Sequence, residues 1–336
     1  MDDRHLRGDQ PDGRREQDMS VSVVMTCHNE GRYIAQAVRS VLGQTAFDKI
    51  AEIIIVDDGS TDGSAGILDA MATAEPQLKV LHIANSGLPA ARNFGIARAS
   101  GEFIALLDGD DYWVPEKLER QMPAFAAGAR VGLVYSDFMD FTKDDASDAQ
   151  LITVRAYHAD SERTLAEYFV HDAPILPSSA IIRRAVFEDV GLFDVNLRLG
   201  EDTEMFLRIA ERWRFQHVPG GLTYKRRHGA NLTSRLEALL PVGEETTRRF
   251  AKRNPQLAPI ADKRRARRYA RTGNDCIVQG ERAKGLRYLA KALRCDPLFW
   301  RTYIYLLLSI FPGQSLRRRA KRYYHTVHVA RRLFFR

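Results

Sequence analysis

From Val21 onward, short apolar runs alternate with stretches of helical spacing. Val21-Ser22-Val23-Val24-Met25 is a β-rich run, and Glu30 to Leu42 places Ile34, Val38 and Val41 on one helical face. Ile53-Ile54-Ile55-Val56 is a second apolar run, ending at Asp57-Asp58-Gly59-Ser60, and a helix through Ile67, Leu68 and Met71 follows. Val80 to Ile83 reads as a third strand, Ala90 to Ala99 as a helix, and Phe103 to Leu107 as a fourth strand bounded by Gly101 and Gly109. Strands alternating with helices of this length predict βαβ units and a mostly parallel sheet. In such sheets ligands bind beyond the carboxyl ends of the strands. Thr26, Asp57, Asp58 and Asp108 to Asp111 all fall at those ends, so three separate polar clusters converge on one edge.

After Trp113 the pattern loosens. Val131 to Ser136 predicts another strand, running into an acidic loop from Asp137 to Asp148. Pro174 to Ile182 holds two prolines and Ser178-Ser179 before a short strand, and Thr203 to Trp213 reads as a helix with Met205, Phe206 and Ile209 inward. Glu201-Asp202 stands at its start, where a helix dipole favours anions. Farther on, Ala261 to Gln279 and Arg282 to Arg294 form a helix pair with the spacing of a single tetratricopeptide-like unit.

The stretch Asp108-Gly109-Asp110-Asp111 carries the most chemistry. Three carboxylates at the end of a buried strand repel one another and resist desolvation. A divalent cation would compensate them, since Mg²⁺ and Mn²⁺ take oxygen ligands, often one or two carboxylates plus substrate phosphates. The competing reading is a polar turn entering a helix at Pro115-Glu116.

Charge changes the picture at the C-terminal end. Residues 1–234 hold 25 Lys/Arg against 36 Asp/Glu, a net of −11, whereas residues 235–336 hold 25 against 7, a net of +18. An acidic front and a basic back imply two functional regions. The basic part suits an anionic membrane surface, nucleic acid or an acidic polymer, although no nucleic-acid-binding module is visible and no nucleic-acid partner is expected. The apolar run Thr302 to Phe311 is too short to span a bilayer, and it is flanked by Arg301 and by Arg317-Arg318-Arg319, Lys321 and Arg322. It fits an interfacial segment, an ordinary buried helix or a dimer contact. Cys27, Cys276 and Cys295 lie far apart without metal-ligand spacing, which fits a reducing compartment. Met1 to Asp18 is polar, lacks the apolar core of a secretory signal, and reads as a disordered tail.

Four stretches, VSVVMTCHNEGRYIAQAVRSVLGQT, AEIIIVDDGSTDGS, NSGLPAARNFGIARASGEFIALLDGDDYWVPEKL and GLFDVNLRLGEDTEMFLRIA, stand in an order and spacing that resembles the family 2 inverting glycosyltransferases. The resemblance covers about residues 20–232 and implies an α/β GT-A nucleotide-diphospho-sugar transferase fold, Rossmann-like with a mostly parallel sheet. Residues 19–234 would form the catalytic domain and 235–336 a basic helical extension. Carried over by position, Thr26 would contact the nucleotide base, and His28 stands where the family often has Tyr before Asn29 and Glu30. Asp58 would accept the pyrimidine N–H, with Asp57 supporting it or bonding the ribose. Arg92 and Asn93 would line the donor cleft. Asp108-Gly109-Asp110 matches the DxD motif, with Asp110 as metal ligand and Asp108 nearer the ribose or the metal. Glu201-Asp202 matches an ED pair in which Asp202 is the base, and Glu201 either raises the Asp202 pKa or points away. The segment Tyr224 to Gly229 resembles one that closes over the diphosphate, with Arg227 on the nucleotide and His228 on metal or phosphate.

The implied cofactors are Mn²⁺ or Mg²⁺ and a nucleoside-diphosphate sugar, with a uridine base favoured. The acceptor would be a glycan or lipid-linked hydroxyl, a homodimer would be compatible with the helical extension, and the setting would be the bacterial cytoplasm or the inner face of the membrane. The residue types suit this chemistry on their own terms. A cation stabilises the leaving diphosphate, a carboxylate takes the acceptor proton, and no second carboxylate nucleophile is required. A glycoside hydrolase would not explain a diphosphate-type motif. A sugar nucleotidyltransferase would show a Gly-rich basic loop near Glu30-Gly31-Arg32. A non-catalytic sugar-binding relative need not keep both Asp110 and Asp202.

Overall fold

The computed structural model describes residues 19–157, 161–172, 174–228 and 236–310. The expected tail at 1–18, the boundary near 234, Gly229 and the Arg317–Arg322 cluster lie outside the described residues.

Strand β1 (Val21–Cys27) is buried along its whole length, as a strand covered on both faces must be. It pairs in parallel with β2 (Ile50–Asp58) on one side and β4 (Phe103–Asp108) on the other, and β2 in turn carries β3 (Leu78–Ile83). The crossovers are α1 (Ile34–Leu42), α2 (Ser64–Ala74) and α3 (Leu88–Ile96). Helix α1 buries Ile34, Ala37, Val38 and Val41, the face its spacing predicts. Gly95 brings α3 close to the sheet, since a Cβ there would meet Val24 Cγ1 at 2.5 Å.

Past β4 the sheet becomes mixed. Strands β5 (Tyr112–Trp113), β6 (Val131–Phe141), β7 (Gln150–Ile152), β8 (Ala180–Arg183) and β9 (Arg214–Arg226) complete the order β3-β2-β1-β4-β8-β6-β9-β5, with β7 on β6. Strand β8 runs antiparallel to both β4 and β6, while β6 and β9 are parallel. Short helices α4 (Lys117–Gln121) and α6 (Arg184–Val190) connect them.

The strand from Val131 does not stop at Ser136. It continues to Phe141, and Asp137 and Asp140 belong to it rather than to an acidic loop. Asp137 is 4% exposed and accepts the N–H groups of Val154 (2.8 Å) and Gly220 (2.9 Å), with His217 Nε2 at 2.8 Å. It sits where the β6–β9 register shifts, between Ser136 and Phe138. The carboxylate therefore satisfies donors released by the irregularity. Burial alone would raise its pKa, but the bonds from His217, Gly220 and Val154 outweigh that and hold it below the usual range. Asp137→Ala is expected to cost about 2–4 kcal/mol in urea unfolding at neutral pH, because several buried donors lose their acceptor. The contribution should be present above the ordinary carboxylate pKa and vanish as pH falls through the lower folded value. A variant with an unchanged midpoint at both pH values would contradict this.

The chain divides into two compact units. The first holds the residues up to 159, 174–195 and 212–227, hence the whole sheet, and the second holds 160–173, 196–211 and the residues from 228 on. In the second unit lie α5 (Ser161–His171), α7 (Glu201–Arg212) up to its last residue, α8 (Leu240–Arg253), α9 (Ala261–Val278), α10 (Arg282–Cys295) and α11 (Trp300–Ser309). The expected pair at 261–279 and 282–294 is thus present, crossing closely where a Cβ on Gly273 would meet the Gly285 carbonyl at 2.8 Å. Arg264 of α9 is fully buried and bonds Thr247 Oγ1 (3.1 Å), the Phe169 carbonyl and Asp172 (3.2 Å). A buried guanidinium needs this complete set of acceptors.

Candidate functional site

The carboxyl ends of β1, β2 and β4 are level with one another. Thr26 is in register with Val56 and Asp108, and Cys27 with Asp57. The loops beyond these ends tie together through side chains. Asn29 adopts the left-handed conformation (φ 57°), its N–H donates to Ser60 Oγ (2.9 Å), and its Oδ1 accepts the Thr61 N–H (2.7 Å). The Glu30 N–H donates to Ser64 Oγ (3.0 Å), and Asp62 takes the Gly31 N–H (2.9 Å). His28 Nδ1 lies 2.7 Å from the Asp58 carbonyl, so Nδ1–H donates there and Nε2 is left to accept from Asn29 (3.2 Å). His28 itself is exposed, with its ring at the open edge.

The two acids at the end of β2 differ in their partners. Asp57 is 3% exposed and both its oxygens are used, Oδ1 by the Ser60 N–H (3.2 Å) and Oδ2 by His82 Nδ1 (2.8 Å). The bonds from Asp57 and Asp69 raise the His82 pKa. These partners make Asp57 a loop fastener. Asp58 accepts the Ser86 N–H (2.7 Å), the Ser86 hydroxyl (2.9 Å) and the Gly87 N–H (2.9 Å). A carboxylate offers about four acceptor sites, so one is left for an outside donor.

At the end of β4 the acids crowd. Arg92 is 2% exposed and its guanidinium meets Asp108 Oδ1 at 2.6 Å, with Thr26 Oγ1 at 3.5 Å from the same oxygen. Asn93, its neighbour, clamps the backbone of Phe193 through both amide atoms (2.8 and 2.9 Å), which is a structural task. Asp111 is 5% exposed, and burial followed by Asp110 and Asp108 pushes its carboxyl well above the usual range. The carboxyl of Glu30 joins this group from the loop between β1 and α1. Burial, then Asp110, Asp108 and Asp111, push it up in the same way. Its buried Oε2 has no hydrogen-bond partner among the described residues. Gly109 makes room for it, because a Cβ there would collide with that oxygen and stand 2.9 Å from the Thr26 carbonyl. Cys27, underneath, is no nucleophile, since burial and Glu30 push its thiol up to about 12.

The basic segment at the end of β9 divides between its two arginines. Arg227 is the exposed one, 61% open and bonded to Asp140 (2.6 Å). Arg226, absent from the sequence-derived set, is buried beside the acids. Its N–H donates to Asp111 Oδ1 (3.0 Å), its Nε to the Asp110 carbonyl (3.3 Å) and its NH2 to Gln36 (2.7 Å), and Tyr33 and Phe141 lie against its guanidinium at 4.3 and 4.6 Å. No period-two pattern along β9 marks it, since Leu222 and Thr223 are both buried and Tyr224 and Lys225 both half-buried before Arg226.

Glu201, Asp202 and His228 belong to the second unit. Glu201 is 8% exposed in the first turn of α7, and Asp202 Oδ1 accepts the Thr203 N–H at 2.6 Å. Glu204, 1% exposed, is bound to Arg208 one turn on (2.8 Å). In the same unit Glu237, Cys276 and Glu281 bring ligand-type atoms within 4.8 Å of one another. The Lys284 ammonium already bridges both carboxylates there, and burial raises the Cys276 thiol pKa, so this group is an ion-paired cluster.

A parallel βαβ sheet with an acidic cluster at the carboxyl ends of its first, second and fourth strands places that cluster where open α/β sheets bind their ligands. The model of the family Glycosyl transferase family 2 matches residues 22–191, and the chain belongs to this family. It is 33% identical to an uncharacterized glycosyltransferase of Nostoc sp. over 69% of this chain and 74% of that protein. It is 30% identical to glycosyltransferase GlyG of Streptococcus pneumoniae over 62% of this chain and 72% of the other. Among solved structures, S. aureus TarS 1-349 in complex with UDP-GlcNAc matches with a TM-score of 0.60 at 20% identity, covering 82% of this chain and 81% of that one. The GT-A fold with C-terminal helices is thereby the fold of this chain. No described helix is long and apolar enough to cross a membrane.

Proposed function

We propose that this protein transfers a sugar from a nucleoside-diphosphate sugar, with a uridine base, to a hydroxyl of a glycan or lipid-linked acceptor, with inversion at the anomeric carbon. The observation that carries this reading is the crowd of Glu30, Asp108, Asp110 and Asp111 at the strand ends, with the buried Glu30 Oε2 unpartnered. Such a set of hard oxygen donors fits Mn²⁺ or Mg²⁺. Asp108 and Asp110 would hold the ion, with His228 as a further donor. When bound, the cation supplies Lewis-acid stabilisation of the leaving diphosphate. The chain's own residues do the rest. Asp58 keeps an acceptor site for the pyrimidine N–H, and the exposed His28 ring offers a surface for the base to stack on. Asp202 takes the proton of the acceptor hydroxyl as its oxygen bonds to the anomeric carbon. The C–O bond to the diphosphate breaks, and the bonding pair leaves with it. The likeness of the fold to S. aureus TarS 1-349, whose structure holds UDP-GlcNAc, supports a uridine donor.

The first test is thermal stabilisation of the purified protein by UDP, GDP and dTDP, each with and without Mn²⁺. UDP with Mn²⁺ should stabilise selectively, by about 2.7 kcal/mol at a hundredfold excess over its Kd. Stabilisation by none of the three would sink the donor assignment, and equal stabilisation without metal would sink the role of the acidic cluster.

A further inference from the structure

Helix α11 is apolar on two faces. Inward it packs Tyr305 and Leu306 on the Ala270, Ile277, Leu289 and Phe299 cluster, with Thr302 and Ser309 buried beside them, while Trp300 and Tyr303 are each 51% exposed, Leu307 59% and the following Ile310 63%. At about 100° per residue the exposed four fall within an arc of roughly 80°, with Thr302 and Ser309 on the far side. Leu298, just before the helix, is 88% exposed. A helix that already packs one apolar face inward and still presents Trp, Tyr, Leu and Ile together on its outer face goes against the preference set by water alone. Its outer face is therefore matched to something other than water.

Charge decides what. Residues 311–336 lie outside the described residues, but their sequence holds eight Lys/Arg, no Asp/Glu and five Phe/Tyr. Within the helix, the Arg301 guanidinium stands 5.7 Å from the Trp300 ring centre. Two copies meeting through this face would bring two such cationic segments together, which like-charge repulsion opposes. An anionic bilayer answers every feature at once. Trp and Tyr seat at the headgroup level, Leu and Ile reach the acyl boundary, and Lys and Arg meet anionic lipids. A ten-residue helix is about 15 Å long, half the hydrocarbon thickness, so it lies in the interface and does not span.

We propose that the face formed by Trp300, Tyr303, Leu307 and Ile310 docks on an anionic lipid bilayer. Binding is peripheral and reversible, and it raises the effective concentration of any lipid-linked acceptor in the same membrane.

The test is sedimentation of the full chain with vesicles of phosphatidylcholine alone and with about one third phosphatidylglycerol, at ~0.1 and ~0.5 M salt. Binding is expected only to the anionic vesicles, weaker at the higher salt, with a blue shift of tryptophan emission. Both Leu307→Gln and the pair Trp300→Gln with Leu307→Gln alter exposed positions, so the melting temperature should hold. The pair should weaken binding about tenfold or more. Vesicle binding unchanged in the pair would assign the attraction to residues 311–336 alone and overturn the proposal. So would absence of binding to either vesicle, equal binding to both, or light scattering in which the pair turns a dimer into a monomer without altering vesicle binding.

Discussion

Asp202→Asn is expected to bind the donor nucleotide as the native protein does and to lose transfer by about 10²–10⁴-fold, the usual contribution of a positioned base. The substitution is nearly isosteric. Asp202 stands in the first turn of α7 and its Oδ1 accepts the Thr203 N–H at 2.6 Å, a bond that an amide oxygen also makes. Asn serves helix N-termini about as well as Asp, so α7 should keep its start. What the variant lacks is the capacity to take a proton. The measurement is turnover with acceptor beside calorimetric titration of UDP with Mn²⁺. Native affinity with turnover reduced a hundredfold or more supports the role. Native turnover moves the base elsewhere, with Glu201 next in line. Loss of both binding and turnover would indicate that the second unit has been disturbed.

Asp110→Ala should abolish the metal-dependent part of nucleotide binding while the protein stays folded. Glu30, Asp108, Asp110 and Asp111 crowd one another, and burial followed by the neighbouring like charges pushes the Glu30 and Asp111 carboxyls up. Removing one member relieves repulsion in the protein alone, so stability should hold or rise slightly. Each direct carboxylate–cation bond lost should weaken UDP binding in Mn²⁺ by at least tenfold, toward the value in chelator. The check is the difference between the two titrations. A variant that retains the full metal increment would remove Asp110 from the ligand set.

Much of this architecture was legible because parallel strands announce themselves. Strands β1, β2 and β4 are runs of β-branched and aliphatic residues ending in a polar cluster, and α1 between the first two has a clear apolar face. The sheet edge and its acids follow from that alternation alone. What escaped was governed by partners distant in sequence. Asp137 reads as a loop acid until His217 and Gly220, some 80 residues on, are seen to bond it. Arg226 and Arg227 are indistinguishable as letters, yet the Arg226 guanidinium is buried against the Asp110 carbonyl and Gln36 while that of Arg227 bonds Asp140 at the surface. The likeness of Asp57 to Asp58 in the sequence likewise conceals that His82 already occupies the first.

The chain passes between its two units five times before residue 229. That path has a consequence for synthesis. Helix α5 leaves the ribosome about a hundred residues ahead of α9, whose Arg264 and Arg268 take up the α5 terminus at Phe169 and Asp172. Leu165, Tyr168 and Phe169 are buried in the finished protein, so until α9 arrives they must wait uncovered. The nascent chain is then a client for chaperones at a late stage of translation. A protein cut near residue 234 would stay in that waiting state permanently. The basic C-terminal region is for this reason a part of the folding unit and cannot be removed as an appendage, and its surface chemistry has to be altered one side chain at a time.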